Sequence, residues 1–154
     1  MTDVLIVSVG STIMQDDGVG PFIINELKKQ IINADLADLG TDIFKLRLFF
    51  NQHKKIIILD ALMNGSKPGS VHVFDHTEFK QKLDGKIRNA HMLGVIEGID
   101  IMREVDDSLS KAKIIFIGIV AETIDKGFEL TETVKNAVPE AIKIIENLIY
   151  SNLI

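Results

Sequence analysis

The sequence predicts an α/β fold in which a mostly parallel sheet is covered by helices on both faces. Apolar runs of strand length, rich in Ile, Leu and Val, alternate along the chain with segments of helical period. The strongest runs are apolar at consecutive residues, which is typical of parallel strands buried on both faces. The 154 residues suit one domain, and we expect residues 1–154 to form it.

The first apolar run, residues 4–9, predicts a central strand that ends at Gly10. A short loop then places two consecutive carboxylates, Asp16 and Asp17, before a helix expected over 18–33. Asp at that position commonly caps a helix, where unpaired N–H groups and the helix dipole stabilise negative charge. Because one cap uses only one carboxylate, we expect the other to be functional at the carboxyl edge of the sheet, where ligands bind in open α/β folds.

The next stretch, residues 34–41, is too acidic for a central strand and predicts a short strand near an edge of the sheet. It ends with Asp38 at the point where the chain turns towards a helix expected over 43–50. Thr41 or Asp42 is the expected N-cap of that helix. Capping does not account for Asp38 as readily, so Asp38 is a candidate for function.

A clear buried strand is predicted over residues 55–59, and Asp60 follows it directly. Asp is disfavoured in strand interiors, and a charge shielded by four apolar residues is costly without a partner. A metal ion, an Arg or Lys side chain, or backbone N–H groups would meet that need. Asp60 is therefore a candidate ligand, with a structural role in the following loop as the alternative.

Three histidines in the middle of the chain differ in their surroundings. His72 lies in a predicted half-exposed strand over 70–74, on the face opposite its valine neighbours, and is expected to face solvent. His76 has acidic neighbours but sits in a polar surface segment, so a metal site is the weaker expectation there. His91 begins a helix with apolar spacing, and neutral imidazole is a common metal ligand.

The last strong strand is predicted over residues 113–120, where Gly118 is expected to allow another backbone to approach closely. Thr131 is the expected cap of a final helix that reaches about residue 150. Pro139 falls within this helical pattern. Because proline cannot donate a hydrogen bond to the preceding turn, it is expected to start a second helical segment or to kink the first.

Composition and charge narrow the class of function. The net charge of −5, with lysines scattered among acids, gives no electrostatic reason to bind nucleic acid or an anionic membrane. The sequence has no cysteine, which excludes disulfides, thiolate metal sites and a cysteine nucleophile. No signal peptide, long apolar segment or lipidation signal is visible, so we expect a cytoplasmic location.

Several common catalytic signatures are missing from the sequence. The first loop does not fit G-x-G-x-x-G, and there is no P-loop, no G-x-S-x-G elbow and no H-E-x-x-H. The candidates that remain are Asp17, Asp60 and His91, which come from three separate elements and could converge at one edge of the sheet. Two carboxylates and an imidazole suit a borderline divalent metal such as nickel or zinc and leave positions open for a substrate.

Six segments, in order along nearly the whole chain, resemble the signatures of one known family. The first, V-S-V-G-S-T-I-M-Q-D-D-G-V-G-P, resembles that family's G-N-x-L-x-x-D-[DE]-G-x-G. The others are D-L-G-T at 38–41 (like D-G-G-T), I-L-D-A at 58–61 (like a strand ending V-D-A), P-G-S at 68–70 (like P-G-[ST]), N-A-H-M-L-G at 89–94 (like S-x-H-x-L-G), and F-I-G-I with E-T at 116–123 (like a late strand whose glycine precedes P-E). By these segments the chain resembles the [NiFe]-hydrogenase maturation endopeptidases.

This resemblance implies a three-layer α/β/α sandwich of the phosphorylase/hydrolase-like type. It also implies a partner and a reaction: removal of the C-terminal extension of a [NiFe]-hydrogenase large-subunit precursor after nickel insertion. The family's three metal-binding positions fall on Asp17, Asp60 and His91, and a further aspartate that influences cleavage falls on Asp38. The metal implied is nickel carried by the precursor, for which another divalent ion such as zinc or cadmium would substitute.

Three residues depart from the family pattern: Ser11, Asp17 and Leu39 stand where it has Asn, Glu and Gly. Asp is one methylene shorter than Glu, and Leu cannot readily adopt a glycine-only backbone conformation. These departures change the loop expected to face the substrate, and they leave open which hydrogenase would be processed.

The sequence leaves the role of the metal open between recognition of the loaded precursor and direct catalysis through a polarised carbonyl or an activated water. Two other classes of function also stay open. One is a small-ligand or nucleotide-binding α/β module whose acids only cap helices. The other is a non-enzymatic metal chaperone or docking protein that uses the same three residues.

Overall fold

The computed structural model describes residues 2–78 and 90–151, with the side chains of the second range described from residue 94 onward. The strands in these residues are β1 (Val4–Ser8), β2 (Asp35–Asp38), β3 (Lys55–Leu62), β4 (Val71–Asp75) and β5 (Lys113–Val120). They form one sheet in the order β2-β1-β3-β5-β4, parallel throughout except that β4 is antiparallel to β5. The predicted mostly parallel sheet, with an edge strand at 35–38, is confirmed.

Helices cover both faces of this sheet. They are α1 (Val19–Leu27), α2 (Leu46–Phe49), α3 (Ala90–Val105), α4 (Asp107–Lys111) and α5 (Glu132–Tyr150), with 3₁₀ turns at Gln15–Gly18 and Ile43–Lys45. Alternate residues of the buried strands point to opposite faces. Ile56 and Ile58 join a cluster with residues of α3, and we call this side the α3 face. Ile57 and Leu59 join a cluster with residues of α1 and α5, which defines the α1–α5 face.

Two element boundaries differ from the prediction. Helix α1 ends at Leu27, followed by a turn in which the N–H of Gln30 donates to the Leu27 carbonyl, because the chain must reverse before β2. Strand β3 does not end before Asp60 but continues to Leu62, because its pairing with β5 extends to Leu62 opposite Val120. Asp60 therefore lies inside a strand, not after one.

Helix α5 runs without interruption through Pro139, so the expectation that a second helical segment starts there is wrong. Pro139 lies on the exposed side of the helix. Buried residues on both sides of it, including Val134 and Ile145, attach the whole helix to the α1–α5 face. Packing of this amphipathic face outweighs the hydrogen bond that proline cannot make.

Two expectations about β4 and β5 are also wrong. His72 is half-buried, stacks on Phe74 with ring centroids 5.9 Å apart, and bonds to the Ser70 hydroxyl, because Phe74 turns that side of β4 towards the core. The residue of β4 that faces solvent is Val73. Gly118 accommodates a side chain instead of a backbone, since a Cβ atom there would lie 2.3 Å from the Leu62 side chain.

Both predicted helix caps after the first helix are confirmed. Asp42 accepts the N–H of Phe44 at 3.0 Å, and Thr131 accepts the N–H of Val134 at 3.4 Å. Within residues 2–78 and 90–151, no helix has the length and apolar character needed to span a membrane.

Candidate active site

Glycines allow close backbone contacts at the carboxyl ends of β1, β2 and β3. Gly10, just after β1, has a φ of 145°, and a Cβ atom there would lie 2.0 Å from the Asp17 carbonyl oxygen. Its N–H donates to the Gly40 carbonyl in the loop after β2, at 2.7 Å. Gly20 of α1 is also tightly packed, with its Cβ position 2.9 Å from the Leu59 carbonyl oxygen. A side chain at either glycine would collide with backbone, so the 3₁₀ turn between them lies directly over the strand ends.

Asp17 lies at this junction. Its Oδ2 accepts the N–H of Ser11 at 2.9 Å, which fixes the carboxylate against the loop after β1. The residue is half-buried, and its Oδ1 has no hydrogen-bond partner within the described parts of the chain. Neither Asp16 nor Asp17 caps a helix, because neither the 3₁₀ turn nor α1 has a side-chain cap. One oxygen of Asp17 is therefore available to a ligand.

Asp60 is 8% exposed inside β3, and its Oδ1 accepts the N–H of Ala61 at 2.8 Å. Strand alternation places its side chain on the α3 face, with Ile58 and Leu62 on either side. Because β1 and β3 are neighbours, Asp60 and Asp17 lie at the carboxyl ends of adjacent strands. The structure brings these two sequence-predicted carboxylates to one edge of the sheet.

His91 lies in the first turn of α3, and its side chain is outside the described residues. Helix α3 packs on the α3 face through Ile96, Ile99 and Met102, which is the face that carries Asp60. At Gly98 a Cβ atom would lie 2.6 Å from the Ile43 side chain, so the helix is held tightly against the 3₁₀ turn after β2. The convergence of His91 on the two carboxylates remains a prediction.

Asp38 ends β2 and is exposed, yet its Oδ1 has two partners. It accepts the Ser8 hydroxyl at 3.1 Å and the N–H of Gly40 at 2.9 Å. Gly40 has a φ of 60°, and its carbonyl accepts the N–H of Gly10. Asp38 thus holds the turn that contacts Gly10, and Gly10 in turn packs against Asp17.

Asp16 has a role that sequence reasoning missed. Its carboxylate is fully buried and bonds to the segment after β5. Oδ2 accepts the N–H groups of Glu122 and Thr123 at 2.9 and 3.0 Å, while Oδ1 accepts the N–H of Thr131 at 2.8 Å. The Thr131 hydroxyl lies 2.9 Å from Oδ2 and donates to the same carboxylate. Asp16 therefore ties the 3₁₀ turn to residues 121–131 and fixes the position of Asp17.

One feature of the sequence indicated a special role here: Asp16 and Asp17 are adjacent, and a helix cap would account for only one of them. The partners of Asp16 are 106 to 115 positions further along the chain, so no local pattern could identify them. Adjacent main-chain bonds strengthen the connection, since the N–H of Gln15 donates to the Gly127 carbonyl at 2.9 Å.

A metal ion needs several donor side chains grouped around one point. Among the residues whose side chains are described, no three His, Asp or Glu side chains are grouped closely enough to hold one. The described portion of the candidate site is the pair Asp17 and Asp60, and His91 would complete it. Two carboxylate oxygens and an imidazole nitrogen form a set that borderline ions such as nickel accept.

The other histidines make structural contacts. His76 bonds through Nε2 to Asp100 of α3 at 2.8 Å and stacks on Phe116. The His53 Nδ1 accepts the N–H of Asn51 at 3.1 Å, which leaves Nε2 to donate to Asp35 at 2.7 Å. This hydrogen bond lowers the pKa of Asp35 below its ordinary value. Asp35 begins β2, so the pair lies at the end of the sheet opposite the candidate site.

Known proteins resemble this chain in both sequence and fold. A family model described as hydrogenase maturation protease matches residues 21–148. The solved structure of the [NiFe] hydrogenase maturation protease HybD from Thermococcus kodakarensis superposes with a TM-score of 0.87 and 39% identity, covering 97% of this chain and 99% of that one. Protein FrxA from Pyrococcus furiosus is 41% identical over 88% of this chain and 97% of its own length.

A more distant relative shares the fold. The hydrogenase maturating endopeptidase HybD from Escherichia coli superposes with a TM-score of 0.79 at 22% identity, covering 94% of this chain and 90% of that one. The expected three-layer α/β fold is confirmed by these superpositions.

Proposed function

Because the chain belongs to the hydrogenase maturation protease family, we propose that it removes the C-terminal extension of a [NiFe]-hydrogenase large-subunit precursor once nickel has been inserted. The single observation that carries this proposal is the pair of carboxylates at the ends of adjacent strands. Asp17 is fixed through one oxygen and offers the other, while Asp60 is shielded within β3. Two carboxylates at one edge of the sheet are a donor set that a divalent cation accepts.

Asp17, Asp60 and His91 recognise the nickel that the precursor brings. Two carboxylates and one imidazole occupy three coordination positions, which leaves the others to the cysteine sulfurs of the precursor. The metal belongs to the substrate. A precursor without nickel therefore has no ion that these three side chains can bind, and it is not processed. Zinc or cadmium, which accept similar donors, would occupy the same three side chains in vitro.

Nickel held in this way places the scissile peptide bond over the carboxyl edge of β1 and β3. A divalent ion held there by Asp17, Asp60 and His91 would supply Lewis-acid chemistry, through a polarised carbonyl oxygen or an activated water. Asp38 acts as a positioning residue in this scheme. It holds the Gly40 turn, whose carbonyl binds Gly10, and Gly10 is packed against the backbone of Asp17.

The test is a mass spectrum of nickel-loaded precursor before and after incubation with the purified protein. We expect the wild-type chain to shorten the precursor, and Asp17→Asn, Asp60→Asn and His91→Ala each to slow this by about 100-fold or more, since each removes a metal ligand. Asp107→Asn is the matched control, because the Asp107 side chain is 84% exposed on the surface helix α4. We expect this control to process the precursor at the wild-type rate.

Two outcomes would contradict the proposal. Unchanged cleavage by both Asp17→Asn and His91→Ala would remove the three residues from the mechanism. Binding of the precursor without any loss of mass would mean that the chain is a docking or metal-delivery protein instead of an endopeptidase.

A further inference from the structure

A cavity of about 310 Å³ opens beside the 3₁₀ turn that carries the two acidic residues. Its walls come from this turn, from α1 and from the segment after β5. The lining residues include Thr12, Gln15, Phe22, Phe128, Leu130 and Lys135. Its size lies at the lower end of the range of ligand pockets, roughly 300–1,000 Å³. Gln15 and Gly18 both belong to the 3₁₀ turn that carries Asp17, so the cavity borders this turn.

Gln15 is held in an unusual backbone conformation at the edge of this cavity. Its φ is 47°, a left-handed value that few residues with a side chain adopt. Its N–H donates to the Gly127 carbonyl at 2.9 Å, and the Gly127 N–H donates to the Ile13 carbonyl at 2.9 Å. A Cβ atom at Gly127 would lie 2.9 Å from the Gln15 side chain, so this packing requires glycine. Backbone strain that the surrounding structure enforces is often found at ligand-binding positions.

The side chain of Gln15 carries an unsatisfied polar atom. Its Oε1 is buried, yet it accepts no hydrogen bond from the described residues. A buried amide oxygen in this state has lost its hydrogen bonds to water without replacing them. Because Gln15 lines the cavity, rotation of its amide towards the cavity would let a donor group of a bound ligand supply the missing bond. A peptide N–H is such a donor.

The remainder of the wall is mixed: Thr12, Glu129 and Lys135 are among its polar residues, and an apolar patch includes a large exposed ring. Phe128 is 85% exposed, while Phe22 and Leu130 are half-buried next to it. An aromatic ring left in water beside a cavity gains free energy when an apolar group covers it. The cavity therefore combines polar groups with an apolar patch, which suits an extended peptide whose main chain forms hydrogen bonds and whose apolar side chain covers the ring.

We propose that this cavity, which we call the Gln15 cavity, binds a short extended segment of the precursor's C-terminal extension, next to the scissile bond. A main-chain N–H of the segment donates to Gln15 Oε1, and a neighbouring apolar side chain covers Phe128. This inference rests on the proposed function, because it takes the precursor as the occupant. The continuity of the cavity with the turn that carries Asp17 is what favours that occupant. Gln15 and Phe128 are then specificity-determining residues, distinct from the metal ligands.

The test measures binding and cleavage separately. Binding is followed by surface plasmon resonance with two probes, the precursor that carries its extension and the same large subunit ending at the cleaved bond. Gln15→Leu keeps the length of the side chain but removes the acceptor, and Phe128→Ala removes the exposed ring. We expect each to weaken binding of the precursor about tenfold and to raise KM with little change in kcat. Binding of the shortened subunit should not change between variants.

Phe44→Ala is the matched control, since Phe44 is a half-exposed ring in the 3₁₀ turn at 43–45, outside the Gln15 cavity. We expect it to bind and process like the wild-type chain. Because Phe128 is almost fully exposed, its variant keeps the test valid even if Gln15→Leu does not fold. Wild-type binding by Phe128→Ala, or an equal loss with both probes, would overturn the inference. If the precursor binds through Phe128 but is never shortened, the inference holds and the proposed cleavage fails.

Discussion

Replacing Asp16 by Asn is expected to destabilise the protein strongly although it changes only one atom. The carboxylate accepts three backbone N–H groups and one hydroxyl, and the residue is fully buried. The amide of Asn has a single acceptor oxygen. If its NH₂ replaces Oδ1, it faces the N–H of Thr131; if it replaces Oδ2, it faces the N–H groups of Glu122 and Thr123. Either orientation leaves at least one buried N–H group unpaired.

The magnitude follows from these contacts. An unpaired buried donor costs about 1–3 kcal/mol, and hydrogen bonds to a charged acceptor are worth about 1 kcal/mol more than neutral ones. We therefore expect Asp16→Asn to lower the free energy of unfolding by about 3 kcal/mol. For a chain of this length that corresponds to a fall in Tm of about 6–12 °C.

Urea and thermal unfolding monitored by circular dichroism would measure this difference. The neighbouring Asp17→Asn is the matched comparison, because Asp17 is half-buried and makes one hydrogen bond, to Ser11. We expect it to change the free energy of unfolding by less than about 1.5 kcal/mol. If Asp16→Asn stayed within about 0.5 kcal/mol of the wild type, the long-range contacts of Asp16 would not stabilise the fold as argued here.

Two further predictions concern stability. Gly10→Ala should cost about 3 kcal/mol or more in urea unfolding, because its Cβ would lie 2.0 Å from the Asp17 carbonyl and its φ is positive; Gly94→Ala, which meets nothing within 4 Å, should be neutral or stabilising. The hydrogen bond from His53 lowers the pKa of Asp35 in the folded protein. The stability that this bond adds is therefore present above the pKa that Asp35 has in the unfolded chain, and it is lost as the pH falls through the pKa of Asp35 in the folded protein. In Asp35→Asn, the free energy of unfolding should no longer fall in this way at acidic pH. The same pH profile as the wild type would contradict the role given to the His53–Asp35 hydrogen bond.

The fold could be predicted from apolar runs because a strand buried on both faces needs apolar residues at consecutive positions, and this pattern is visible in the local sequence. Residues 4–7 and 114–117 are apolar on consecutive positions, and both runs lie in central strands covered on two faces. The end of β3 could not be predicted in the same way. Asp60 interrupts the apolar run, but pairing with the full length of β5 carries the strand past it. Partner strands, which the local sequence does not reveal, set that boundary.

The site was predictable to the extent that it depends on strand ends. Asp17 and Asp60 were expected at the carboxyl edge because each follows or interrupts an apolar run, and the structure places both there. The role of Asp16 could not be predicted, since its partners come from the opposite end of the chain. Gln15 gave no signal in the sequence either. Its positive φ and its buried oxygen appear only once Gly127 packs against it.

The central claim is that Asp17, Asp60 and His91 face one cation at the carboxyl edge of the sheet. Anomalous diffraction from crystals of the protein soaked in cadmium tests it most directly, because cadmium takes similar donors and marks its own position. We predict one strong peak at bonding distance from a carboxylate oxygen of each aspartate and a ring nitrogen of His91. A peak that contacts none of the three side chains, or only one of them, would contradict the account.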